Sequence, residues 1–200
     1  MGDMITLRAP QKELDFRLMK ALEMRRSTRK WKNEPLSDQD LSNLLWAAGG
    51  QTREPKGRTK SKRTTPSACN AQEIRVYVLK EDGVFHYHED GHALEQIHSK
   101  DVREFIGTQK MMKCAPMGLV FVADLSRMTS PLFRSEETKQ FFAWLDTGYI
   151  SQNVYMYCAA SGMGTVSLGL VNRDLLGEKM CLKEDEKIVL TQVVGYQQPD

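Results

Sequence analysis

The sequence predicts an α+β fold, in which helices surround and pack on one sheet. Residues 119–123 form a continuous apolar run, which is typical of a strand buried on both faces. Residues 74–79 and 84–87 have the composition of strands and flank Asp82-Gly83, a hairpin turn signal. Segments with helical periodicity lie before and after these strands. We therefore expect a mixed sheet with helices packed on it.

The composition is that of one globular domain. Hydrophobic residues make up 40% and charged residues 27% of the 200 residues, and the net charge is +2. This balance gives no strong field for nucleic acid or a membrane surface, and no apolar run is long enough to span a bilayer. We expect a cytoplasmic protein, although a removed export signal would leave the same sequence.

The first two helices are predicted from apolar spacing and end signals. The first ends in the polar cluster 25–29. The second begins at Ser37, which with Asp40 resembles a capping box, and stops at Gly49-Gly50. The apolar stripe of the first helix consists of Leu14, Leu18, Ala21 and Leu22.

The remaining helices and the last strand follow the same logic. Ser135 caps a long helix that reaches about Ala160. Shorter helices are expected near 92–99, 101–113 and 173–181, and a final strand at 188–194. Residues 51–65 carry six cations and one acid. The favoured interpretation is a solvated, mobile loop, and the alternative is a loop that covers a cleft.

Three segments are candidates for binding chemistry. Arg25-Arg26-Ser27-x-Arg29 offers arginine forks that match phosphate oxygens, although a solvated helix cap would look the same. Residues 65–72 place amide and hydroxyl side chains just before a strand, where they could form hydrogen bonds to the edge of a heteroaromatic ring. The same residue types are also common in ordinary loops. The glycines of 162–169 allow a ligand to approach the backbone, or make a tight helix-to-strand connection.

Cysteines and histidines give weaker signals. No C-x-x-C pair exists, and Cys114 and Cys158 are expected to be small buried hydrophobes. His86 and His88 share one face of a strand, but a metal site needs a third ligand in reach. We therefore expect an exposed histidine pair on a hairpin and no metal.

These motifs, in this order, resemble the nitroreductase superfamily over residues 13–196. Residues 1–12 would then be an N-terminal extension of a single domain, 13–200. The segments 64–68 and 83–87 look most like its azoline-dehydrogenase (thiazole/oxazole) branch. The motifs are Arg25 to Trp31, Pro66 to Gln72, Gln109 ahead of Ala115-Pro116, Asp146-Thr147-Gly148, Gly162 to Thr165, and a last strand ending at Gly195-Tyr196.

The resemblance implies a three-layer sandwich, in which helices flank a mixed, mainly antiparallel sheet. It also implies an obligate homodimer with FMN in each of two interfacial clefts. Arg25 and Ser27 would hold the phosphate and ribityl chain, with Arg26 adjacent, and Arg29 would lie at the pyrimidine edge. The other subunit would contribute Pro66, Ser67, Ala68 and Asn70. Gln109 would bond the pyrimidine edge, and Ser167, Leu168 and Gly169 would pass near N5.

The activity implied is an FMN-dependent transfer of hydride from NAD(P)H to nitroaromatic, quinone or related acceptors. The alternatives are a flavin-dependent dehydrogenase of an organic or peptide substrate and a flavin-binding protein without turnover. The sequence departs from the family in two ways. Residues 197–200 lack the expected phosphate-binding cation, so Arg25 and the basic loop would have to bind the phosphate without it. Cys69 stands where the azoline branch usually has glycine, and its usual aromatic pair is missing.

Overall fold

A computed structural model describes residues 2–57, 59–109 and 116–198. Its main sheet has seven strands in the order β1-β6-β5-β4-β7-β9-β8, and every adjacent pair is antiparallel. The strands of this sheet are β1 (Met4–Thr6), β4 (Ile74–Lys80), β5 (Gly83–His88), β6 (Ala93–His98), β7 (Met117–Asp124), β8 (Met163–Leu168) and β9 (Glu186–Tyr196). The helices are α1 (Leu18–Met24), α2 (Asp38–Gly49), α3 (Glu136–Ser161) and α4 (Arg173–Lys179).

The sheet is the middle of three layers, as expected. All eight residues of β7 are buried, which confirms the strand predicted from the apolar run at 119–123. One face packs against α2 and α3 through residues such as Leu44, Phe121 and Val154. The other face packs against α4 and the segment around Ile106. No helix among the described residues combines the length and apolar character that a bilayer crossing requires.

The predicted caps of the two main helices are confirmed. The Ser37 hydroxyl accepts the Asp40 N–H at 3.1 Å, and the Ser135 hydroxyl accepts the Thr138 N–H at 3.2 Å. Gly162 ends α3 with φ of 73°, a left-handed conformation that glycine adopts at little cost. The position of α3 matters most for function, because both candidate binding segments attach to it.

Two of the short helix predictions are wrong. Residues 93–98 form β6, which pairs with β5 on one side and β1 on the other. Tertiary pairing here overrides a local preference for helix, and the buried Leu94 fits the alternation of a strand. Between 101 and 109 there is only a 3₁₀ turn, Arg103–Phe105. The rest of that predicted helix, with Cys114, lies outside the described residues.

The basic segment is more ordered than a solvated loop. It contains a small hairpin of β2 (Gln51–Arg53) and β3 (Lys62–Arg63). The side chain of Arg63 is buried and pairs with the buried Glu89 at 2.9 Å. Arg63 is therefore part of the protein interior. The interpretation of the whole segment as solvated is wrong.

The glycine-containing segment 162–169 is mostly the edge strand β8. Ser27 joins β8 through a parallel bridge to Thr165, so the sheet is mixed at this edge. A Cβ on Gly164 would lie 2.7 Å from the Thr28 methyl group. The space beside this glycine is therefore filled by the Thr28 side chain and not by a ligand. At the opposite edge, β1 belongs to the segment expected as an N-terminal extension.

Candidate functional site

The segment after α1 is fixed against the sheet edge. The Thr28 N–H donates to the Thr165 carbonyl at 2.9 Å, and Trp31 donates its indole N–H to the Gly164 carbonyl at 3.1 Å. These bonds place Arg25 to Arg29 beside the end of β8, where Ser167, Leu168 and Gly169 follow. The structure therefore brings together two of the three segments predicted from the sequence.

Tyr155 of α3 links these two segments. Its hydroxyl lies 3.1 Å from the Ser27 hydroxyl and 3.3 Å from the Ser167 hydroxyl, and it accepts the Ser167 N–H at 3.0 Å. The Arg25 guanidinium lies 5.4 Å from the centre of its ring. Burial raises the pKa of Tyr155, but the hydrogen bonds from Ser167 and Ser27 outweigh it, and the pKa is lowered.

The sequence reasoning missed Tyr155. The only sequence signal is that a buried tyrosine must find a partner for its hydroxyl. Helical spacing places Tyr155 on the buried side of α3, but it cannot name partners in distant segments. The same contact limits the role of Ser167, because its N–H is already donated to Tyr155.

The segment 25–29 carries three arginines. Within the described part of the chain, neither Arg25 nor Arg29 forms an ion pair with a carboxylate. The buried Thr28 Oγ1 also has no hydrogen-bond partner there. A cleft of about 260 Å³ opens between this segment and the end of the chain, lined by Arg26, Ser27, Thr28, Arg29, Lys30, Gln197 and Gln198. Such a cleft suits an anion.

Gln197, the first residue after β9, lines the cleft beside Arg26. Its side-chain oxygen accepts a hydrogen bond from Arg26 at 3.2 Å, and its amide donates to the Met163 carbonyl at 2.8 Å. Gln197 therefore orients Arg26 at the rim of the cleft and adds no charge of its own.

The third segment, residues 66–70, is held on a different part of α3. The Ala68 N–H donates to the Asp146 carboxylate at 2.8 Å, and the Ser67 hydroxyl accepts the Gln72 N–H at 3.0 Å. Cys69 and Asn70 have φ of 51° and 53°, in the left-handed region. Cys69 thus occupies a conformation that favours glycine, the residue that the azoline branch usually has there.

Asp146 also faces a second buried acid, Glu73. Glu73 is fully buried, and no described N–H or O–H group donates to either of its carboxylate oxygens. Burial, reinforced by the charge of Asp146, raises the pKa of Glu73 to about 7. The pKa of Asp146 is also raised by burial. The loop 66–70 is therefore held by Asp146, a carboxyl group whose pKa is raised and which lies beside the buried Glu73.

The segment 25–29 and the loop 66–70 contact α3 at points that are far apart along the helix. Ser27 reaches α3 at Tyr155, whereas Ala68 reaches it at Asp146. At the rise of an α-helix, these two positions of α3 are separated by about 14 Å along the axis. The cationic segment and the loop therefore attach to α3 at two different positions, the loop near its middle and the cationic segment in its C-terminal third.

Gln109 and Gly169 lie close to one another. The Thr108 N–H donates to the Leu170 carbonyl at 3.1 Å, which brings Gln109 beside the residues that follow β8. Both Gln109 and Gly169 are exposed, and a Cβ on Gly169 would meet no atom within 4 Å. The Leu168 side chain is buried in the core, so only its backbone faces a ligand.

A second basic cavity, of about 390 Å³, borders the loop 66–70. Lys60 donates to the Ala71 carbonyl at 3.1 Å on its wall. Cations and hydroxyls dominate the lining, which includes Lys60, Lys62, Asn70, Arg127, Thr129 and Ser130. The basic segment 51–65 thus contributes to a cavity beside a candidate binding loop.

Comparison with known proteins agrees with this geometry. The sequence profile described as the Nitroreductase family matches residues 22–196, which include every candidate binding residue. The chain belongs to the Nitroreductase family.

Two relatives match this nitroreductase-family chain over nearly its whole length. A protein of Methanocaldococcus jannaschii, provisionally named a nitroreductase, is 29% identical over 195 residues, which are 92% of this chain and 93% of that protein. A crystal structure of a provisionally named nitroreductase from Ralstonia eutropha JMP134 has a TM-score of 0.88 and 36% identity. That match covers 98% of this chain and 90% of the other.

A more distant structure shows the same fold. The NADPH:FMN oxidoreductase of Vibrio harveyi, solved in complex with NAD⁺, has a TM-score of 0.66 at 16% identity. The match covers 91% of this chain and 69% of that one. The family assignment supports an oxidoreductase, and it confirms the nitroreductase fold predicted from the motifs.

Proposed function

We propose that this protein is an FMN-dependent oxidoreductase that takes hydride from NAD(P)H and passes electrons to nitroaromatic, quinone or related acceptors. The observation that carries the proposal is the cationic cleft at the edge of β8, in a chain of the Nitroreductase family. Arg25 and Arg29 have no carboxylate partner in the described chain, and Tyr155 joins Ser27 to Ser167 beside them.

The cleft and the residues beside it offer groups that suit a flavin mononucleotide. Arg25 would hold the phosphate by charge-assisted hydrogen bonds, and Ser27 would contact the ribityl chain, with Arg26 at the rim. The open space at Gly169 would admit a polar ligand close to the backbone. Arg29 and Gln109 would face the pyrimidine edge of the ring.

A homodimer would complete the site. The loop 66–70 bonds to α3 at Asp146, about 14 Å along the helix from the contact of Ser27 with Tyr155, and in this proposal it reaches the cleft of the second protomer through Pro66, Ser67, Ala68 and Asn70. The outer faces of α1 and α3 supply an apolar surface for such an interface. Their exposed side chains include Leu18 at 68%, Met19 at 74%, Phe141 at 58% and Trp144 at 63% exposure.

When bound, FMN supplies the hydride chemistry that no side chain of the chain provides. Arg29 would stabilise the negative charge that develops at the pyrimidine edge on reduction. The backbone near Ser167 and Gly169 would orient the reactive face, and the partner loop would exclude water from it. No side chain is required as a nucleophile.

The second basic cavity supports a phosphate-bearing electron donor. It borders Cys69 and Asn70 of the loop that is proposed to reach the flavin, and Lys62 and Arg127 line it. Phosphates of NAD(P)H would meet these cations. We expect Lys62→Ala to raise KM for NADPH more than KM for NADH if the 2′-phosphate binds there, with Lys187→Ala, exposed on β9, as the control.

The deciding experiment is the absorption spectrum of the purified protein before and after anaerobic addition of NADPH. We expect flavin bands that bleach, and FMN rather than FAD on chromatography of the heat-released cofactor. Sedimentation should show a flavin-loaded dimer. A flavin that stays oxidised would instead indicate a dehydrogenase with another reductant or a flavin-binding protein, and a colourless protein that does not take up FMN would refute the proposal.

A further inference from the structure

Three metal-ligating side chains meet on the sheet far from the proposed flavin cleft. His86 and His88 project from the same face of β5, and Glu95 lies directly opposite His86 on β6. Their ligand atoms all lie within 4.8 Å of one another. The sequence offered only the histidine pair; the register between β5 and β6 supplies the third ligand. Contrary to the expected exposed pair, His86 is buried.

Two of the three distances are close to the edges of a coordination tetrahedron. His86 Nδ1 lies 3.1 Å from His88 Nε2, which lies 2.9 Å from Glu95 Oε2. Ligands at the usual zinc–nitrogen distance are about 3.3 Å apart in a tetrahedral site. The third pair, His86 and Glu95, lies within 4.8 Å, so side-chain rotation would have to close this edge to place all three atoms around one ion.

Hydrogen bonding alone does not satisfy this group. A ring nitrogen carries at most one hydrogen, so His88 Nε2 cannot bond well to both His86 Nδ1 and Glu95. If it donates to Glu95, it has no lone pair for His86; if it accepts from His86, its lone pair faces a carboxylate. A cation between the three atoms would accept one lone pair from each of them.

The charges around the group are mixed. Glu95 supplies a negative charge, whereas Arg75, which pairs with Asp124 at 2.6 Å and Glu186 at 3.2 Å, supplies a positive charge nearby. The side chains of His88 and Glu95 are 39% and 27% exposed, which leaves room for water as a fourth ligand.

We propose that His86, His88 and Glu95 bind one divalent transition-metal ion of the zinc class, with water completing the coordination. Two imidazoles and one carboxylate suit Zn²⁺, Co²⁺, Ni²⁺ or Cu²⁺, whereas Ca²⁺ and Mg²⁺ prefer oxygen ligands. Three strands separate β5 from β8, so the ion would lie roughly 19 Å across the sheet from the cleft. It would clip β5 to β6 near the sheet edge.

The test uses full-length, flavin-loaded protein without a histidine tag, treated with EDTA and then dialysed. We expect calorimetric titration with ZnCl₂ to give one ion per chain, and Co²⁺ to give visible d–d absorption beyond the flavin bands. Loss of a ligand in His88→Ala or Glu95→Gln should weaken zinc binding more than about ten-fold. His98→Gln is the control, because His98 bonds the Lys179 carbonyl outside the group.

The two ligand variants should fold like the wild type, so a loss of zinc binding can be assigned to the lost ligand. His88 and Glu95 are partly exposed, and Glu95→Gln is isosteric, so far-UV circular dichroism and the flavin spectrum should stay unchanged. Failure of the wild type to bind Zn²⁺ or Co²⁺ would overturn the proposal. So would zinc binding that is equally tight in His88→Ala and Glu95→Gln. Either outcome would leave the flavin proposal untouched.

Discussion

The buried Glu73 predicts an unusual pH dependence of stability. Burial beside Asp146 raises the pKa of Glu73 from its ordinary 4.5 to about 7. Between these values the folded protein keeps a proton that the unfolded chain has released. The stabilising contribution is therefore fully present below the ordinary pKa and is lost as the pH rises through about 7.

The size of the effect follows from the two pKa values. A tenfold change in proton affinity is worth about 1.4 kcal/mol, so the raised pKa corresponds to roughly 3 kcal/mol. Glu73→Gln removes the charge at every pH, and its amide can donate to Asp146 as the protonated acid does. We expect the variant to be more stable than the wild type by about 1–3 kcal/mol near pH 8, with much of this gain absent near pH 5.

Urea unfolding at both pH values, with equal protein and FMN concentrations, measures this difference. Glu178→Gln is the control, because the Glu178 side chain is 71% exposed and its substitution should change little at either pH. A Glu73→Gln effect of the same size at both pH values would refute the reasoning, since it would mean that the ionisation of Glu73 does not change across this range.

Three further outcomes are expected. Arg25→Ala removes a charge-assisted phosphate contact, so FMN binding measured by fluorescence quenching should weaken roughly ten- to a hundred-fold; unchanged affinity would contradict the assignment. Tyr155→Phe keeps the ring but loses the hydroxyl that joins Ser27 to β8, and a loss of about 1 kcal/mol corresponds to a roughly five-fold weaker affinity in the same assay. Glu89→Gln leaves the buried Arg63 without its counter-charge and should lower the free energy of unfolding by about 3–5 kcal/mol. A loss below about 1 kcal/mol would contradict this prediction, because it would mean that water solvates Arg63 in the variant.

The loop 66–70 illustrates how far motifs could predict the candidate site. The family resemblance selected Pro66, Ser67, Ala68 and Asn70 by position, and their binding roles remain predictions. What holds the loop could not be predicted, because Asp146 lies far along the chain and meets Ala68 only after α3 has packed on the sheet. The left-handed conformation of Cys69 likewise depends on the folded loop.

Local signals determined the parts of the fold that local physics controls. The caps at Ser37 and Ser135, the hairpin at Asp82-Gly83 and the buried strand β7 follow from short-range hydrogen bonding and apolar patterning, and all are confirmed. Tertiary structure decided the rest. Residues 93–98 became a strand because β5 and β1 pair with them, and Glu95 joined the two histidines because register is a property of two strands. Tyr155 joined Ser27 to Ser167 for the same reason, since a contact between distant segments exists only once the chain has packed.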